Sequence, residues 1–130
     1  MEKSLEELRR KPTAEEINAM PLLRYDGDVR VIRHPRNFRA ALPDLLNSQI
    51  IGFDTETRPT FKKGKTNLPA LIQMATENAV YIIQLGCLPF REECAAILAN
   101  PEIIKVGVGI ADDMHGLNKI FPFTPGGVVD

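Results

Sequence analysis

The chain has 130 residues, 44% hydrophobic and 25% charged, with a formal net charge of −1. That is one domain's length, enough to bury a core unaided, and it excludes wholesale disorder, collagen-like repetition and a transmembrane helix. The two cysteines, Cys87 and Cys94, make neither a disulfide framework nor a zinc site, and the charged N-terminus lacks a signal peptide's apolar stretch, so a cytoplasmic setting and no membrane partner are expected.

Residues 1–24 read as a charged helical arm, laid against the domain or mobile, and residues 25–130 as the domain itself. Leu5, Leu8, Ile17 and Met20 fall at helix-like intervals in the arm, but Pro12 and Pro21 break the run. Residues 29–32 read as a strand. Residues 36–46 carry apolar side chains at 38, 41, 42, 45 and 46, a helix pattern with Pro43 marking a kink or a break. The nearly all-apolar run at 50–54 predicts a strand covered on both faces. Residues 58–67 hold Pro, Gly and three Lys, and read as a loop. Strands at 70–75 and 80–85 flank the turn signal Glu77-Asn78, which predicts a hairpin. A helix at 90–99 stops at Asn100-Pro101, and a strand follows at 103–108. Residues 112–121 form a second helix with Met114, Leu117 and Phe121 on one side. A turn at 122–127 leads into a last strand at Val128-Val129. Hairpin and helical crossovers in one chain imply an α/β fold, a mixed sheet with helices packed on its faces.

The chemistry is concentrated in two places. In Phe53-Asp54-Thr55-Glu56-Thr57, the strand alternation points Asp54 and Glu56 the same way, at the carboxyl edge where open α/β sheets place ligands. Two adjacent carboxylates repel unless a cation sits between them, and a hard divalent ion is the natural partner. The plainer alternative is a polar strand end facing water or pairing with Arg58. The second place is Lys105-Val106-Gly107-Val108-Gly109-Ile110-Ala111-Asp112-Asp113, a strand running into a helix with two acids in its first turn. Asp112 is the simplest helix cap, which leaves Asp113 free to face Asp54 and Glu56 if the two strands are neighbours. Gly107-x-Gly109 does not make a dinucleotide fingerprint, because position 112 is Asp where the third glycine belongs, and two carboxylates there would repel a pyrophosphate. His115 reads as a surface or satisfied helical histidine, and Cys87 and Cys94 as small buried residues. Residues 24–65 hold nine basic side chains against five acidic, most densely at Lys62, Lys63 and Lys65. Those three lysines are the candidate nucleic-acid contacts, with ordinary solvated charge as the alternative.

Together, Ile51-Gly52-Phe53-Asp54-Thr55-Glu56, Ala70-Leu71-Ile72-Gln73 and Val106-Gly107-Val108-Gly109-Ile110 leading into Asp113 resemble the DEDD-type 3′–5′ exonucleases, in their ribonuclease D and Werner-exonuclease branch. The resemblance spans roughly residues 28–130. It implies a ribonuclease H-like fold and stepwise hydrolysis of phosphodiesters from a nucleic-acid 3′ end, DNA or RNA, with two Mg²⁺ or Mn²⁺ ions. It makes Asp54, Glu56 and Asp113 the catalytic, metal-binding acids. The family's third motif, a Tyr followed four residues later by Asp, has no counterpart here: Val29 follows Tyr25 and Leu85 follows Tyr81 at that distance. The resemblance therefore implies a fold lacking its C-terminal helical portion, a fragment or a natural short form, inactive alone. The surface so left bare is expected to drive self-association or to be partly covered by the arm. The alternative function is a non-catalytic nucleic-acid-binding or assembly module on the same fold. A small-molecule enzyme has no pocket signature to support it.

Overall fold

The computed structural model describes residues 6, 9–65 and 67–130. Helix α1, Ala14–Ala19, begins at a capping box in which Thr13 and Glu16 satisfy each other's backbone N–H groups. None of its residues is buried and Ile17 is exposed, so within the described residues this helix of the arm adds nothing to the core. The expected contributions of Leu5 and Leu8 lie outside the described residues.

The domain follows as β1 (Val29–Ile32), α2 (Pro35–Asn47), β2 (Ile50–Thr57), β3 (Pro69–Ala75), β4 (Val80–Gln84), α3 (Glu92–Ala99), β5 (Ile104–Val106), α4 (Ile110–Ile120) and β6 (Val128–Val129). The strands form one mixed sheet in the order β1-β4-β3-β2-β5-β6. The hairpins pair antiparallel, β2 with β3 and β3 with β4, while β1–β4, β2–β5 and β5–β6 are parallel. The expected element order is thus present.

Several local expectations are corrected. Pro43 does not break its helix: α2 runs through it, with Phe38, Ala41 and Leu45 buried. The strand at 103–108 is only three residues long, and α4 starts at Ile110, so Asp112 is not its cap. Gly109 is, in left-handed conformation at φ 64°. Cys87 is exposed, and only Cys94 is buried, where desolvation pushes its thiol up to about 12.

The largest correction concerns β2. Its burial alternates, with Ile51 and Phe53 inside and Ile50, Gly52 and Asp54 exposed. The core lies on one face only. There Ile51, Phe53, Ile72, Met74, Tyr81 and Ile83 meet Phe38 and Leu45 of α2, Ile97 and Leu98 of α3, and Met114 and Leu117 of α4. The registers put Val29, Val31, Ile50, Ile104, Val106 and Val129 on the other face, where each remains more than a third exposed. Among the described residues no helix packs there. The run at 50–54 is apolar on both sides without being covered on both. A buried lysine closes the core at one end. Lys105 Nζ donates to the carbonyls of Ile97, Asn100 and Ile103 at 3.0, 2.7 and 2.5 Å, tying the end of α3 to the start of β5. Burial pushes its pKa down to about 8.

Candidate active site

β5 lies beside β2 in parallel register, Gly52 opposite Val106, so the turn into α4 opens beside the carboxyl end of β2. Two glycines shape that turn. A Cβ on Gly107 would run into the Phe53 carbonyl, so β5 approaches β2 there as only glycine allows. Gly109 supplies the left-handed cap, and its N–H donates to Asp130 Oδ1 at 3.2 Å. α4 therefore starts with Asp112 and Asp113 in its first turn, where the helix dipole favours carboxylates.

Asp112 is exposed and Asp113 turns inward. Thr55 Oγ1 donates to Asp113 Oδ1 at 2.5 Å. Thr55 alternates with Asp54 and Glu56 along β2, so Asp113 meets the strand from its helix-covered side. Asp54 and Glu56 leave the strand on its open side, both exposed. The other oxygen, Asp113 Oδ2, is buried without a hydrogen-bond partner. The Asp113 carboxyl is raised above its ordinary value. Burial is the main cause, the Thr55 hydrogen bond works against it, and the charges of Asp54, Asp112 and Glu56 raise it further.

The three acids lie near one strand end, but Asp113 does not face Asp54 and Glu56 as the sequence predicts: it meets β2 from the other side, against Thr55. They do not form a single coordination cluster: among the described residues, no three His, Cys, Asp or Glu side chains are arranged to hold one ion. Nor does any described basic side chain neutralise Asp54 or Glu56; the ion pairs among the described residues are Arg10–Glu16 and Arg30–Asp28. Pairing of these acids with Arg58, the plainer reading of the motif, is not formed. His115 is exposed on α4.

Lys62, Lys63 and Lys65 are exposed on the loop that leaves β2 just beyond Glu56. Asn67 Nδ2 closes the base of this loop by donating to the carbonyls of Arg58 and Pro59 at 2.7 and 3.2 Å. Sequence reasoning overlooked Thr55. Its signal was available, since alternation sends the residue between two co-facing acids to the opposite side, toward any helix packed there.

The all-carboxylate chemistry of these residues and the unpartnered Asp113 Oδ2 suit a hard divalent cation, although the three side chains are not arranged around one position. A family model described as 3′–5′ exonuclease matches residues 29–130. The chain is similar to the exonuclease mut-7 homolog of Homo sapiens, at 30% identity over 84 residues, covering 57% of this chain and 10% of that protein. It superposes on Trypanosoma brucei RNase D in complex with RNA U12 with a TM-score of 0.72 at 21% identity, covering 81% of this chain and 38% of that one. It also superposes on the EXD2 exonuclease domain soaked in Mg and GMP with a TM-score of 0.66 at 24% identity, covering 80% of this chain and 56% of that one. The chain thus spans about a tenth of the length of this curated relative. The superpositions bear out the ribonuclease H-like mixed sheet with flanking helices. Among the described residues, no helix is long and apolar enough to cross a membrane.

Proposed function

The chain belongs to the 3′–5′ exonuclease family, and from that premise we propose that it carries the acidic half of a divalent-metal site that hydrolyses phosphodiesters at the 3′ end of DNA or RNA. The observation that carries this reading is Asp113. A half-buried carboxylate whose inner oxygen is buried and unpartnered, held against a strand bearing two more acids, is a poor structural device and a sound metal ligand.

In this reading Asp54, Glu56 and Asp113 would be the carboxylates that hold Mg²⁺ or Mn²⁺. A pair of ions is the family's arrangement and remains part of the proposal. Bound there, the cation supplies Lewis-acid stabilisation of charge developing on the phosphodiester oxygens. The chain's own residues do the positioning. Thr55 fixes the Asp113 rotamer through Oγ1. Gly107 and Gly109 fix the helix that carries it. Lys62, Lys63 and Lys65, exposed on the loop just beyond Glu56, would steer a phosphate backbone by charge. The RNA bound to the trypanosomal enzyme and the Mg and GMP in the EXD2 crystal support this choice of substrate and ion.

The test is calorimetric Mn²⁺ titration of the chain and of Asp54→Ala, alongside thermal melts in chelator. The variant should lose Mn²⁺ binding and melt no lower, because one like charge has been removed from the strand end. A large drop in melting temperature in chelator would make Asp54 structural. Unchanged Mn²⁺ binding would remove it from the site. Oligonucleotide binding by a chain that takes up no Mn²⁺ would favour the non-catalytic module.

A further inference from the structure

We infer that Phe61 is a stacking platform for an unpaired base of a single strand entering the site; this deepens the nuclease reading above and rests on it. The chain has six phenylalanines. Phe38, Phe53 and Phe90 are buried, and Phe121 and Phe123 pack against the core. Phe61 alone stands in solvent, 98% exposed. Its ring contributes nothing to the fold.

The loop around it is nevertheless shaped. Asn67 pins the loop's base to Arg58 and Pro59. Beyond Phe61 the chain turns back, with Lys65 N–H donating to the Lys62 carbonyl at 3.2 Å and Gly64 left-handed at φ 78°. Phe61 thus sits between a pinned base and a tight turn, with Lys62, Lys63 and Lys65 beside it, all exposed. One exposed aromatic among scattered polar residues would be ordinary surface. An aromatic face interleaved with three lysines is the pattern by which proteins hold single strands, rings taking bases and ammonium groups taking phosphates.

The position also fits. Phe61 is five residues past Glu56, at most about 17 Å of extended chain. A strand whose end lies at the carboxylates could therefore reach the ring within a short stretch of nucleotides. A base face is free for stacking only where the strand is unpaired, so the ring selects single-stranded over duplex substrate. Stacking carries no counterion release, whereas each lysine–phosphate contact does. Ring and lysines should therefore separate cleanly when salt is varied.

The experiment measures affinity of the chain for short oligo(dT), for an abasic oligomer of equal length and for a duplex, in chelator, across a salt series. The variants are Phe61→Ala, Phe61→Trp and a form with Lys62, Lys63 and Lys65 changed to Gln. Since the chain has no tryptophan, Phe61→Trp also installs a single fluorescent reporter. Phe61→Ala should weaken oligo(dT) binding about five-fold or more at every salt concentration, with the salt slope unchanged. Phe61→Trp should bind as tightly as wild type, with its fluorescence quenched. Neither change should affect the abasic oligomer, and the lysine variant should show a shallower slope. Equal oligo(dT) affinity in wild type and Phe61→Ala, with the lysine variant still flattening the slope, overturns the stacking role and leaves the nuclease reading intact. Absence of oligonucleotide binding by wild type at any salt overturns both.

Discussion

Replacing Thr55 with Val tests how the site holds its buried acid. Valine keeps the branched shape and strand preference of threonine and deletes one donor. That donor gives Asp113 Oδ1 its 2.5 Å hydrogen bond, and Asp113 Oδ2 has no partner. A hydrogen bond to a charged group is worth about 1.5–3 kcal/mol net, so Thr55→Val should destabilise the metal-free chain by roughly that much once Asp113 is ionised. With a urea m-value of about 1–3 kcal/mol per molar, the midpoint should fall by about 1 M. The pH dependence has a definite sign. The folded Asp113 carboxyl is raised, so its stabilising contribution is complete below the ordinary Asp value and is lost as pH rises through the raised one. The Thr55 bond favours the charged form and limits that loss. The penalty of Thr55→Val should therefore be small in acid and grow toward neutrality, and Thr55→Ser should restore wild-type behaviour. Urea unfolding in chelator across this range is the assay. Equal midpoints at neutral pH would refute the reasoning, and so would an equal drop at every pH, because either result would mean that the hydrogen bond does not recognise charge.

Lys105→Met leaves three carbonyls without their donor and should cost about 3–5 kcal/mol in urea unfolding at neutral pH, the scale seen when one partner of a buried polar set is removed. Because the folded pKa of about 8 lies below the unfolded 10.5, wild-type stability should rise relative to Lys105→Met across that interval, and a parallel pH dependence would contradict it. Neutralising Lys62, Lys63 and Lys65 should lower the log–log salt slope of oligonucleotide binding by about 0.7 for each phosphate no longer neutralised, and an unchanged slope would return them to plain surface. The open sheet face should make the isolated chain self-associate with rising concentration in sedimentation velocity, and Val31→Glu with Ile104→Lys should suppress this; a wild-type monomer throughout would refute it.

The element order was legible because each signal was local. A nearly all-apolar run marked β2, the Glu77-Asn78 turn marked the hairpin, and apolar spacing marked α2 and α4. Boundaries were less legible where a glycine decided them. The Asp112-Asp113 pair looked like the start of a helix, but Gly109 can adopt the left-handed cap, and the helix begins directly after it, at Ile110. Burial on β2 was misjudged for a different reason. An apolar run shows that both sides of a strand are hydrophobic, and says nothing about whether a neighbour covers each of them. The acids proposed for the site were named from the sequence. Their distribution on two sides of one strand was not, because it depends on which face α4 packs against.

The two glycines before α4 show how a sequence resembling a phosphate-binding turn can be built for a different task. In a dinucleotide site, glycines let a helix N-terminus approach a pyrophosphate. Here Gly107 brings the chain against the Phe53 carbonyl, the peptide that leads directly into Asp54. Gly109 then turns the chain so that α4 starts at once, its N–H taken up by Asp130 Oδ1. The first glycine sets the spacing between β5 and β2, and the second sets the direction of the helix. With both fixed, the first turn of α4 presents Asp112 to solvent and Asp113 to Thr55. The positive end of the helix dipole, which would attract a phosphate in the other context, is occupied by the protein's own carboxylates. The same arrangement of backbone therefore turns from a site that attracts anions into one that calls for a cation.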